Sequence, residues 1–281
     1  MVILLWAALH YLVDATVLTR GLDRPVVVLI GDGGVAAAIL VLILLLAAAL
    51  VGALLAGRHD VTSGLVAVGV ALALWTWPGG TIDEWLKMKH PDPGPATGAA
   101  YWPLLGEYAY WAVVLAALVT LTAWWHGRHA DEPRASAGWR RTFGLELTSA
   151  GLRDGMITLV TTTVVAGVLM LVLTGPRAEH TYRGQVYFAV AVAFVIAVVV
   201  ARRVGNVHGL VWHLPGPLIV GIVGVLRAGW RPALGGAYEN INVIPAWGLV
   251  RPLPIEMVAV GLVAILLTWQ ATTRLSSEDR G

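Results

Sequence analysis

The chain has 281 residues, 58% of them hydrophobic and 13% charged, with a formal net charge of +2 and no cysteine. A soluble domain carries about 25% charged residues, so this composition points to a membrane protein. The near-neutral charge offers nothing to nucleic acid, and the lack of cysteine excludes disulfides and thiolate metal sites.

Apolar runs of roughly 17–25 residues are long enough to cross about 30 Å of hydrocarbon as helix. They are continuous and rich in Ala and Leu, with no period-two alternation, so helices rather than a barrel are expected. The N-terminal run, 2–18, lacks a basic n-region and a small-residue cleavage site, and it reads as a retained first span. A short apolar stub, 26–30, ends at Gly31-Asp32-Gly33-Gly34. That glycine cluster lacks the full spacing of a phosphate loop and reads as a turn with Asp32 capping the next helix. Further spans are expected at 35–56, 61–77, 105–125, 155–174, 185–201, 210–226 and 255–269. The fold class is therefore all-α, a polytopic transmembrane bundle of about eight spans. It divides into a first four-span half (1–125), a basic connector (126–154) and a second four-span half (155–281).

Lys and Arg in the connectors are almost balanced, ten on the side of both termini and nine on the other. The connector between spans four and five, with Arg128, Arg134, Arg140, Arg141 and Arg153, breaks the tie. It puts both termini in the cytoplasm of a cell or inner membrane. Trp139 and Phe143 beside Arg140 and Arg141 read as a surface helix on anionic headgroups.

The two halves echo each other. Pro103, Leu104 and Glu107 align with Pro252, Leu253 and Glu256, and Gly64, Gly69 and Leu74 align with Gly216, Gly221 and Leu226. An even number of spans per repeat would make the repeats parallel. In a chain this rich in Gly and Leu, chance accounts for the echo as readily.

Four residues are candidates for a substrate or proton path: His10, Asp14, Glu107 and Glu256. His10 and Asp14 share one face of the first span, where ionisable groups are costly and must turn inward. They read as a proton relay or, with more weight, as a polar pair pinning span one to a neighbour. Glu107 and Glu256 begin spans four and eight, where the helix dipole and a preceding proline explain them without function. With a repeat they would flank a central site, with Asp83, Glu84 and Glu239 nearby. His59, His126, His129, His208 and His213 gather at one membrane edge, but helix ends favour a partly cationic ring anyway, so no metal or other cofactor is expected. Thr158, Thr161, Thr162 and Thr163 read as back-bonding to their own helix, and Pro215 with Pro217 as a break in span seven.

Two long connectors, 78–104 and 227–254, are rich in Trp, Pro and Gly. Besides forming an interfacial belt they are the expected contacts with other membrane or extracytoplasmic subunits, the bilayer itself being the first partner. The leading functional reading is a non-catalytic anchor or scaffold of a membrane complex. A secondary transporter or small-solute permease is the alternative, and an intramembrane enzyme on a lipid-linked substrate comes third.

Overall fold

A computed structural model describes residues 1–14, 24–56, 62–89, 98–128, 143, 149–174, 182–205, 209–230 and 247–278. Helices account for nearly all of them. In chain order these are α1 (Val2–Ala8), continued by a π-helical turn (Leu9–Asp14), α2 (Gly34–Ala56), α3 (Ser63–Thr76), α4 (Ile82–Lys89) and α5 (Trp102–Arg128). Then come α6 (Ser149–Leu173), α7 (Arg183–Val204), α8 (Gly216–Trp230) and α9 (Pro254–Glu278).

Among the described residues six helices are long and apolar enough to cross a membrane. The first and third expected spans are present as shorter apolar helices, Val2–Asp14 and Ser63–Thr76. The protein is thus an all-α, multi-pass membrane bundle. Its exterior agrees: Val160, Val164 and Val168 form a stripe on α6 at 53–56% exposure. In water such a stripe would be a liability, whereas in a bilayer it meets acyl chains. Helix α9 is the central post. Its Ile255, Met257, Ala259, Ile265 and Leu266 are fully buried, and α3, α5, α7 and α8 all pack on it.

Two glycines set close crossings on α9 and α5. A Cβ on Gly69 of α3 would lie 2.7 Å from Val263 Cγ2 and 3.2 Å from Ala259 O, both on α9. A Cβ on Gly221 of α8 would lie 2.2 Å from Cζ of Tyr108 on α5. Small residues are how membrane helices gain contact, since lipid gives no hydrophobic drive between them.

The expected edges shift at several places. α5 and α6 run into the 126–154 connector, to Arg128 and from Ser149. Span seven is not one kinked rod: a 3-10 turn (Leu210–Trp212) precedes a helix that starts at Gly216. Pro217 sits in that helix's first turn, where a missing N–H costs nothing. Phe143 is buried at 3% exposure, not laid on headgroups. Trp139, Arg134, Arg140 and Arg141 lie outside the described residues.

Candidate functional site

The described parts of the connectors 78–104 and 227–254 meet the bundle at one end, here called the connector end, and several buried ionisable groups gather there. Glu107, in the second turn of α5, is fully buried. Its Oε1 accepts from Val28 N–H at 2.8 Å and from the Trp111 indole at 3.1 Å. Its Oε2 accepts from Leu29 N–H at 2.9 Å and Ile30 N–H at 3.4 Å. The cause lies in the stub. Val26–Ile30 is apolar, buried at Val26–Val28 and half-buried at Leu29 and Ile30, but not helical, so its amides lack the partners a helix would supply. Charge-assisted bonds to one carboxylate satisfy three of them and compensate the buried charge.

Glu256, in the first turn of α9, is 2% exposed. Its Oε2 accepts from Leu253 N–H at 2.9 Å, the back-bond of a capping box. Its Oε1 accepts from Arg183 Nε at 2.8 Å. Arg183 opens α7 and also donates to the carbonyls of Trp77, Gly79 and Gly80, closing the C-terminal end of α3. One guanidinium therefore joins α3, α7 and α9. Its planar fork of donors suits this better than a lysine would.

Asp83 and Arg251, 5% and 2% exposed, stand near each other at the same end. Arg251 Nη1 donates to Thr174 O at 2.5 Å. Burial lowers the pKa of Arg251, and the charge of Asp83 opposes that shift. Glu84 serves its own helix: its Oε2 accepts from Thr81 N–H at 2.6 Å and from the Thr81 hydroxyl. Burial pushes the Glu84 carboxyl up, but these bonds outweigh it and hold the group below its ordinary value. Asp83 and Glu84 lie at the same end as Glu256, the Glu84 charge acting on Glu256. Glu239 lies outside the described residues. Arg183 and Arg251 were not singled out in the sequence. Their only signal was an arginine at each edge of an apolar run.

His10 and Asp14 come together, Nδ1 to Oδ2 at 3.0 Å. The Trp75 indole of α3 donates to Asp14 Oδ1 at 3.1 Å, and Trp6 stacks on the His10 ring at 5.6 Å. Trp75 is fully buried and its N–H needs an acceptor. Asp14 supplies one, which fastens α1 to α3. The His10 side chain keeps 38% exposure and that of Asp14 11%.

Two of the edge histidines fall among the described residues. His126 is buried at the end of α5 and His213 is fully buried before α8, while His59, His129 and His208 lie outside the described residues. His213 Nδ1 shares a hydrogen bond with Thr162 Oγ1 at 2.8 Å, and its Nε2 is buried with no partner among the described residues. Thr158 back-bonds to Asp154 O at 3.0 Å as expected, whereas Thr162 turns to the histidine. Among the described residues no three His, Asp or Glu converge as metal ligands would.

No family model matches this sequence, and searches of curated proteins and of solved structures also return no match.

Proposed function

We propose that the protein is a non-catalytic anchor or scaffold subunit of a membrane complex. One observation carries the reading: the two most deeply buried carboxylates, Glu107 and Glu256, are taken up by protein donors that tie surface segments to the bundle. Groups so engaged brace a platform; they are not left open to a substrate. Aromatic side chains crown the same end, with Trp77 at 54% and Trp230 at 73% exposure. Segments 78–104 and 227–254 are the contact surface for a partner subunit. They face away from the cytoplasm, both termini face into it, and the host is a cell membrane.

The test is a photo-crosslinking residue placed at Trp77 or Trp230 in cells, against Val164 on the lipid face. A discrete protein adduct at the tryptophan positions and none at Val164 is expected. Lipid adducts alone at all three positions would remove the reading.

A second reading, a secondary transporter, is favoured by one specific observation. The seventh span is discontinuous: a 3-10 turn (Leu210–Trp212) precedes α8, which starts at Gly216. Broken spans mark binding sites in repeat-built transporters. The pairing of contacts supports a parallel repeat. Gly69 brings the third span against the eighth, and Gly221 brings the seventh against the fourth. Glu107 holds the segment entering the second span and Glu256 holds the residue entering the sixth. On this reading His10 and Asp14 carry protons. Vesicles holding the protein would show proton flux above leak under an imposed potential, and Asp14→Asn would abolish it with insertion retained. No flux from the native protein would dismiss the transporter.

A further inference from the structure

A cleft of about 50 Å³ opens at the connector end between the stub that enters α2 and the short helix α4. It is lined on the stub side by Arg24, Val27, Ile30 and Asp32, and on the α4 side by Trp85 and Lys89. Its walls are fixed from behind. Glu107 grips the stub through Val28, Leu29 and Ile30. Gly80 N–H donates to Arg24 O at 2.7 Å, which seats the start of the stub against the residues leading into α4. Gly31 makes the bend in the wall, for a Cβ there would lie 2.3 Å from Val27 O. The Trp85 ring is buried at 1% exposure and its indole donates to Ala100 O at 3.1 Å.

The polar rim is built from two cations and one anion. Lys89 Nζ sits 4.7 Å over the Trp85 ring. Arg24 Nη1 lies 2.5 Å from Asp32 Oδ2, with both side chains about half exposed at 50% and 54%. An ion pair so exposed is worth little and exchanges partners at little cost. An arginine fork and a lysine point charge over a rigid aromatic wall are a phosphate-recognising combination. Beside them Met88 is 48% exposed, and α4 joins two membrane helices, so the cleft lies where headgroups give way to acyl chains. The apolar walls Val27 and Ile30 then face glycerol and the first methylenes.

We propose that this cleft is a binding site for the phosphate of an anionic phospholipid headgroup, held by Arg24 and Lys89. Asp32 acts against it, as a competitor for Arg24 and as a like charge. This gives the variants opposite signs, which a merely structural cleft would not.

The experiment is native mass spectrometry of the full-length protein from nanodiscs of phosphatidylglycerol and phosphatidylcholine in equal parts. Preferential retention of phosphatidylglycerol is expected. Arg24→Gln and Lys89→Gln should each lower that preference about fivefold, and Asp32→Asn should raise it. All three residues are exposed, so folding is checked simply by an unchanged thermal midpoint. Equal retention of the two lipids by the native protein, or a preference untouched by Arg24→Gln and Lys89→Gln together, would overturn the proposal. A parallel titration of inorganic phosphate into the protein in phosphatidylcholine alone separates the sources. Saturable phosphate binding there, without lipid preference, would make the cleft a free-phosphate site and overturn the lipid assignment.

Discussion

Glu107 and Glu256 stand at the start of the last helix of the first and second four spans, yet they fasten by different chemistry. Glu107 collects neutral donors, three backbone amides and an indole. Glu256 holds one guanidinium and one amide. The difference decides how each can fail. Short of a proline, no side-chain change deletes a backbone amide, and the Trp111 indole is one donor of four, so the Glu107 clasp breaks chiefly from the carboxylate side. The Glu256 clasp breaks from either side, and loss of the arginine strands a charge in the interior.

The largest expected effect follows from that asymmetry. Arg183→Met should lower stability by about 3–5 kcal/mol, the range for leaving a buried charge unpaired. Arg183→Met combined with Glu256→Met should recover much of the loss, read by thermal unfolding in detergent. A double variant no better than the single would mean that Arg183 acts only through the α3 carbonyls. Next is Glu107→Gln, which turns an amide NH2 toward donors and should cost about 1.5–3 kcal/mol. Its mark is local: amide exchange at Val28, Leu29 and Ile30 should quicken while α9 stays protected. Uniform quickening throughout the bundle would deny the clasp its separate identity.

A third carboxylate, Asp14, sits between these extremes because it joins two side chains on different elements. Asp14→Asn should cost only about 0.6 kcal/mol, the usual worth of a hydrogen bond between membrane helices. Trp75 emission should shift at the same time, and an unmoved spectrum would contradict the indole contact. The smallest effect belongs to Glu84, which braces only its own helix. Its folded-state pKa is depressed, so its contribution is complete above the ordinary value of 4.5 and is lost as pH falls through the lower folded value. Helix α4 should therefore loosen below pH 4.5 in the native protein but show no such step in Glu84→Gln, as read by exchange at Ile82–Lys89.

Much of this fold is legible in the chain because lipid imposes a length on every apolar run. Each expected span has a helix among the described residues, though the fifth begins six residues early, the seventh is broken and the eighth runs nine residues further. Helix α4 was not seen, although Thr81 followed by Glu84 is a capping box and Trp85 and Leu86 form an apolar face; the prolines that follow hid it. The candidate carboxylates were legible as helix starts, and Glu256 is indeed a cap. Their partners were not. Three backbone amides leave no trace in a sequence 79 residues away from the carboxylate that needs them. Arg183 carried no more signal than any charge at a membrane edge.

The guanidinium that closes α3 has a consequence for synthesis. A growing chain meets the bilayer from its amino end, so Trp77, Gly79 and Gly80 leave the ribosome about a hundred residues before Arg183. Until that arginine emerges, the carbonyls at the rim of the early helices have no cationic lid. The opening four spans are a receptacle waiting for the sixth, and a chain stopped short of position 183 should be a substrate for quality-control proteolysis rather than a smaller working protein.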